Sequence, residues 1–368
     1  MPDELRTTAT RTAERPASRP PWPARLGRHV LRRLPLAGTL LGLALGIWLI
    51  ATNDLAAVAD AFGRVGPGGL AAIVLVRVAV ILLCGLAWGC VIQGLTGLGR
   101  AGTGAFVLLR FVREGINVLL PVASVGGDVV GGRLLTFWGT AGTLAAASIL
   151  VDMLFQAGTQ AVFALAGVGL LLQVGGEAAQ ALATWVLRVL AVTALLLAAF
   201  LAVQRSPAAR ALGRRAFGRL RRTFRGDGAE ASPAGGGVYD ALDAVWARAR
   251  WGRLAGSILL HLAAWGLGAL EIWIALACIG VESVSFTEVV VIEALSQAIK
   301  SAAFPVPSGL GVQEGGFVLL GSLFGIDAGT ALALSLIKRV PDVVLGLPAL
   351  LLWQALEARR AMILPPAT

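Results

Sequence analysis

The sequence predicts an all-α, polytopic integral membrane helix bundle with about six full spans and two re-entrant helical hairpins. The 368 residues are 57% hydrophobic and 14% charged, with a mean hydropathy of +0.80, whereas soluble domains carry about 25% charged residues. A helix needs about 20 apolar residues to cross a hydrocarbon core. Six runs reach that length, and each is predicted to span the membrane: 34–52, 69–95, 140–172, 182–204, 253–280 and 329–357.

Two further regions are helical in pattern but too short or too polar for comfortable spans. The region 103–139 contains Arg110, Arg113 and Glu114, and the region 286–325 contains Glu293 and other charged residues. Each is predicted to enter the membrane and return on the same side. The run at 140–172 is one long span or two tight spans, and the sequence alone leaves both open.

A twelve-residue pattern occurs once in each hairpin, at 121–132 and 305–316. Both copies read P-V-x-S-x-x-G-x-x-x-G-G, and each carries one carboxylate before the glycine pair, Asp128 and Glu314. Breaks of this kind at membrane depth need protein or water around the exposed backbone, and matching breaks in two halves are typical of transporter sites. The alternative is a chance match in a chain with 47 glycines. The residues predicted to shape the two turns are Pro121, Gly126, Gly127, Pro305, Pro307, Gly309 and Gly311.

Basic residues set the predicted topology. The net charge of +10 comes mainly from arginines before the first span, within 205–252 and at the C-terminus, while 53–68, 173–181 and 281–288 are acidic. Basic loops stay in the cytoplasm, so both termini and the long loop are placed there. This distribution argues against a nucleic-acid partner.

The domain organisation follows from that topology. We expect a disordered basic cytoplasmic tail at 1–33, a first membrane half at 34–204, a basic cytoplasmic loop at 205–252 and a second membrane half at 253–360. The loop mixes arginines with Leu and Phe, and it could also lie on anionic headgroups. Three predicted spans separate the two hairpins, so the second half is inverted relative to the first.

Ionisable residues inside apolar segments are costly and usually face a pathway or the protein interior. Arg77, Asp152 and Glu271 are such residues, and either a buried salt bridge or a substrate contact explains them. Lys338 and Arg339, beside Pro341 in the last span, pair with hairpin carboxylates such as Glu293 and Glu314, or attract an anionic headgroup.

Other single residues have simpler explanations. His261 is predicted to be a core histidine with satisfied hydrogen bonds. For Asp128 and Glu314 we favour ligand coordination, because a carboxylate beside flexible glycine backbone has the freedom to bind a ligand.

No catalytic or metal-binding pattern is visible. The chain has no phosphate loop, no zinc helix and no histidine near Ser124 or Ser308, so neither a cofactor nor a metal is expected. Cys84, Cys90 and Cys278 fall in predicted spans without metal or disulfide spacing, and are predicted to be small core residues.

The first hairpin reads R-E-x-x-N-x-L-L-P-V over 113–122 and G-G-D-V-V-G-x-R-L-L over 126–135. This resembles the signature of a flippase-like family related to the transmembrane region of lysylphosphatidylglycerol synthases, and most closely its HpnL-type, hopanoid-associated members. The second hairpin, P-x-P-x-G-L-G-x-x-E over 305–314, resembles the family's other landmark, with Ser308 in place of a glycine. The resemblance covers about residues 34–360.

The resemblance implies a bacterial inner-membrane protein that handles a lipid. Lysylphosphatidylglycerol synthases add a soluble aminoacyl-transfer domain, and this sequence ends at Thr368 without one. We therefore expect lipid transport and no enzymatic activity.

The leading hypothesis is thus a flippase-like transporter of a hopanoid or phospholipid. One alternative is a scaffold that docks lipid-biosynthetic enzymes through the 205–252 loop, and another is a membrane-embedded transferase with Glu114 or Asp128 as base. The predicted substrate-binding residues are Arg113, Glu114, Asn117, Asp128, Arg133, Glu314, Lys338 and Arg339.

Overall fold

The computed structural model describes residues 55–120, 126–208, 211, 235–303, 306 and 309–363. Within these ranges the secondary structure is α-helical, with short 3₁₀ turns and no strand. The helices are α1 (Leu55–Ile92), α2 (Thr103–Leu119), α3 (Gly126–Leu135), α4 (Gly142–Val174), α5 (Glu177–Arg205), α6 (Gly235–Val245), α7 (Trp251–Ile279), α8 (Phe286–Ala302), α9 (Val312–Leu323), α10 (Ala328–Ile337) and α11 (Val340–Ile363).

Four helices in the described ranges, α1, α4, α5 and α7, are long and apolar enough to cross a membrane. They contain the predicted spans at 69–95, 140–172, 182–204 and 253–280 almost entirely, which confirms an all-α membrane helix bundle. Helix α4 is continuous over 33 residues, so the run at 140–172 is one helix. The predicted span at 34–52 lies outside the described residues.

The predicted sixth span, 329–357, is not a single helix. Helix α10 ends at Ile337 and α11 begins at Val340. Pro341 is the second residue of α11, where its missing N–H has no intrahelical partner to lose. Apolar composition alone predicted a continuous span, and it missed this break at Lys338 and Arg339.

The segment 53–68, which we expected to be a loop, is also largely helical. Helix α1 begins at Leu55 and is kinked at Gly66, whose φ of 59° and ψ of 178° interrupt the helical conformation just before Pro67. The kink thus lies close to residue 69, where the sequence predicted that the second span begins.

Each predicted hairpin is a pair of packed helices, α2 with α3 and α8 with α9. Glycine shapes the second break: Gly309 and Gly311 have φ of 60° and 73°, and α9 begins directly after Gly311. Gly126 and Gly127 are the first two residues of α3. Pro121, Pro305 and Pro307 lie outside the described residues. Re-entry into a bilayer stays a prediction.

The two halves of the bundle make reciprocal contacts. Helix α1 packs along α7. The packing of α2 on α11 is matched by that of α8 on α4. In the same way, the packing of α4 on α7 is matched by that of α10 on α1. Let α1, α2 and α3 correspond to α7, α8 and α9, and let α4 correspond to α10 together with α11. Each of these contacts then has its counterpart in the other half. This is the pattern that an internal twofold relation requires, and it supports the predicted repeat.

Among the described residues, two apolar clusters make up the core. The first surrounds Trp88, Phe106 and Leu134, next to the first hairpin. The second surrounds Leu295 and Phe317, in the second hairpin.

The long helices pass from one cluster to the other. Helix α1 belongs to the second cluster up to Ile73 and to the first from Trp88 onward. Helix α4 leaves the first cluster after Phe155 and joins the second at Ala164. Helix α7 makes the same change between Leu254 and Ala269. All three helices therefore change partners along the middle of their length.

The bundle's outer surface is apolar. On α5, Trp185, Leu195 and Leu196 are 47%, 71% and 65% exposed, which suits contact with lipid rather than water. Of the cysteines, Cys84 is buried and Cys90 half-buried, but Cys278 is exposed, so its prediction as a core residue is wrong.

Part of the predicted 205–252 loop is folded. Helix α6 packs on α4, and its Leu242 and Val245 are fully buried in the first apolar cluster. The arginine-rich stretch at 212–234 lies outside the described residues, so its predicted contact with headgroups stays a prediction.

Candidate functional site

Charged side chains converge where the long helices change between the two apolar clusters. We call this set the polar layer: Arg77, Arg110, Arg113, Glu114, Asn117, Asp128, Asp152, His261, Glu271, Glu293, Lys300, Glu314, Lys338, Arg339 and Asp342.

Arg113 on α2 is the centre of one ion network. Its guanidinium donates to Asp152 of α4 at 2.8 Å and to Asp128 of α3, and it lies 4.6 Å from the ring centroid of Trp88. Asp152 also contacts Nε2 of His261 at 3.2 Å. The Arg113 and Asp152 side chains are 1% and 0% exposed. A charge buried this deeply is tolerable only when it is paired and hydrogen-bonded.

Glycines bring α3 close enough to α2 for this network to form. The backbone N–H of Gly127 donates to Oδ1 of Asn117 at 2.8 Å, and the amide nitrogen of Asn117 donates to Asp128 at 3.2 Å. A Cβ on Gly131 would stand 2.5 Å from Cγ of Arg113. In the first copy of the repeated motif, glycine is thus required because a larger side chain would overlap α2.

Lys338, at the break between α10 and α11, is the centre of the second network. Its ammonium contacts Glu293 of α8 at 2.7 Å and Glu271 of α7 at 3.2 Å, and it is 3.4 Å from the carbonyl oxygen of Gly268. The neighbouring residue Arg339 donates to Glu314 of α9 at 2.6 Å. The broken helix therefore presents two consecutive cations to the second hairpin.

Arg77 on α1 connects this network to the first half of the bundle. It donates to both carboxylate oxygens of Glu271 at 2.7 Å and to Asp342 of α11 at 3.2 Å. A two-pronged arginine–carboxylate pair of this kind fixes orientation as well as charge. Arg77 and Glu271 thus join α1 to α7 where the two halves meet.

These contacts show one of the alternatives that the sequence left open for each residue, and a contact with substrate stays a prediction. Arg77, Asp152 and Glu271 are in salt bridges within the bundle. Lys338 and Arg339 pair with Glu293 and Glu314, the first of the two alternatives. His261 is buried, as predicted for a core histidine, and contacts Asp152 through Nε2.

The predicted substrate-binding residues do not all lie together. Arg113, Asn117 and Asp128 are in the first network, and Lys338, Arg339 and Glu314 are in or beside the second. Glu114 accepts from Arg110 at 3.1 Å and lies between the two networks. Arg133 is not with the others: its side chain is 60% exposed and pairs with Glu357 at 2.9 Å.

Several residues of the site were not among the predicted binding residues. Arg110, Asp342 and Lys300 belong to it, and the available signal was their charge within or next to an apolar segment. The described part of the polar layer holds seven carboxylates, six lysine and arginine side chains, and His261. This described part is thus close to neutral.

A small open cleft lies where the two networks meet. Its charged walls are Arg77, Glu114 and Asp342, and its other walls are apolar side chains and glycines of α1, α2 and α11. Close approach of α2 and α11 shapes the cleft, since a Cβ on Gly115 would stand 2.6 Å from Cβ of Ala349.

Residues 36–349 match the family described as the lysylphosphatidylglycerol synthase TM region. The chain belongs to this family. It is therefore a multi-pass membrane protein of lipid metabolism. No curated protein and no solved structure gives a match.

For this member of the lysylphosphatidylglycerol synthase TM region family, the polar layer offers hydrogen-bonding groups inside an apolar bundle. Within the described ranges, no group of three or more His, Cys, Asp or Glu side chains is arranged to hold a metal ion. The available chemistry is that of ion pairs and hydrogen bonds, which bind and release polar groups.

Proposed function

We propose that the protein is a flippase-like lipid transporter, in which a headgroup passes between leaflets through the polar layer. The observation that carries this proposal is the position of the layer. It lies midway along three long apolar helices, between two apolar clusters. In a bilayer, the middle of a spanning helix is the depth at which polar groups lack water.

At that depth a headgroup needs hydrogen bonds that replace the ones it made to water. A polar group moved into hydrocarbon without a partner loses several kcal/mol. The paired carboxylates and cations of the polar layer can exchange partners with a headgroup at lower cost, because each keeps other contacts. Arg113, for example, contacts two carboxylates.

The reciprocal contacts of the two halves support the same proposal. Transporters with repeated halves bind substrate near the midplane, where the repeats meet. Here the Arg77–Glu271 pair joins α1 to α7 at that place, and the cleft lies beside it.

The direct test is leaflet exchange in proteoliposomes with labelled anionic, zwitterionic and hopanoid lipids. Exchange should be faster than in protein-free vesicles for at least one lipid. Arg113→Met and Lys338→Met should slow it, and Glu177→Gln should not, because Glu177 is an exposed residue in the first turn of α5. Exchange equal to that of protein-free vesicles for all three lipids contradicts the proposal.

The proposal includes a hopanoid or phospholipid substrate, transport without chemical change of the lipid, and a bacterial inner membrane with both termini in the cytoplasm. Mass spectrometry of lipids after incubation with the purified protein checks the second point, since a new product indicates a transferase. Protease digestion of spheroplasts and of inside-out vesicles checks the location of the termini.

A further inference from the structure

The cleft between α1, α2 and α11 is lined by two carboxylates with spare hydrogen-bond acceptors. Arg77 uses Nε and Nη2 for Glu271 and Nη1 for Asp342, so three of its five N–H groups are already bonded. Glu114 accepts from Arg110 through Oε2, and Asp342 accepts from Arg77 through Oδ1. Within the described residues, the second oxygen of each carboxylate has no hydrogen bond.

The remaining walls of the cleft cannot supply a side-chain donor. They are formed by Ile81, Phe111, Val118 and Leu345, together with Pro341 and two glycines. The Glu114 side chain is 30% exposed and that of Asp342 is 9% exposed, so both face accessible space. A ligand that complements such a cleft brings its own N–H donors and a positive charge.

The surroundings of the cleft are apolar and exposed. Val78 and Leu82 on α1 are each 44% exposed, and Val344 and Leu347 on α11 are 49% and 55% exposed. Each of them is within two residues of a residue that lines the cleft. A headgroup in the cleft could therefore keep its acyl chains against the outer surface of the bundle.

We propose that this cleft binds a zwitterionic phospholipid headgroup, with its primary ammonium between Glu114 and Asp342. This inference rests on the proposed transport function and specifies its substrate class. The ammonium supplies the N–H donors that the two free carboxylate oxygens lack.

The test measures binding separately from transport. The purified full-length protein is titrated with short-chain phosphatidylethanolamine, phosphatidylcholine and phosphatidylglycerol, with tryptophan fluorescence as the signal. We expect at least about tenfold tighter binding of phosphatidylethanolamine than of the other two. Phosphatidylcholine keeps the charge but has no N–H, and phosphatidylglycerol has no cation.

Two variants assign the contacts. Glu114→Gln and Asp342→Asn should each remove most of the preference for the primary ammonium. The control Glu177→Gln should change nothing. Arg77 keeps its two contacts with Glu271 in Asp342→Asn, so this variant should fold.

Two results would overturn the inference: equal binding of the three lipids, or a preference that neither carboxylate variant reduces. Leaflet exchange with no headgroup preference would contradict the proposed headgroup site but not the proposed transport. Preferential binding without exchange would support the headgroup site and contradict the proposed transport.

Discussion

Replacing Lys338 by methionine should leave a buried carboxylate without its cation. Glu293 is 1% exposed, and its contacts in the described structure are Lys338 at 2.7 Å and the side-chain amide of Gln297 at 2.9 Å. At that distance the charge pair is worth about 6 kcal/mol at an effective dielectric constant of about 20. Burial of two charges offsets most of this.

The expected loss is therefore that of a broken buried pair, about 3–5 kcal/mol. We expect the lower end, because Gln297 still donates to Glu293 and Arg77 still holds Glu271. Lys338→Met should lower the free energy of unfolding by about 3 kcal/mol. Adding Glu293→Gln should restore about 2 kcal/mol of it, because the unpaired charge is gone.

The measurement is denaturant unfolding in mixed detergent micelles, followed by tryptophan fluorescence, for both single variants and the double variant. The control cycle is Arg133→Met with Glu357→Gln, an exposed pair whose coupling should stay below about 1 kcal/mol. Losses that simply add up in the Lys338 and Glu293 double variant would show that the two charges are not coupled, and would refute the reasoning.

Three further predictions test packing, exposure and capping. Gly131→Ala should lower stability by about 1–3 kcal/mol in the same assay, because its Cβ meets Arg113, whereas Gly142→Ala should be neutral because nothing lies within 4 Å. A membrane-permeant maleimide should label Cys278 well before the buried Cys84; equal labelling would show that α7 is oriented differently. The side chain of Asp327 accepts from the backbone N–H of Thr330 at the start of α10, and hydrogen bonds from the side chain and the backbone of Thr330 lower the pKa of Asp327. Asp327→Ala should cost about 1 kcal/mol at neutral pH and less once acid protonates the native carboxylate, a difference that unfolding at two pH values measures.

The sequence predicted the helix pairs and the intramembrane charges because both depend on local composition. A stretch with Arg110, Arg113 and Glu114 cannot be a comfortable span wherever it packs. The pairing of these charges could not be predicted in the same way. Arg77 and Glu271 are 194 residues apart, and nothing in one unaligned sequence specifies that they meet.

Two misses have local physical causes. The break at Lys338 was hidden because apolar runs lie on both sides of it, and Pro341 fits inside α11. Arg133 was placed in the site because it lies in the family signature at 126–135, five residues after Asp128. Its direction on α3 points it to the surface and to Glu357 instead.

The long separation of Arg77 and Glu271 has a consequence for biogenesis. Arg113, Asp128 and Asp152 belong to the first half of the chain, so that network can close before the second half is synthesised. Arg77 has to wait for residues synthesised much later. At about 5–20 residues per second, its partner follows roughly 10–40 s behind, and during that time the nascent first half carries an uncompensated arginine in the membrane.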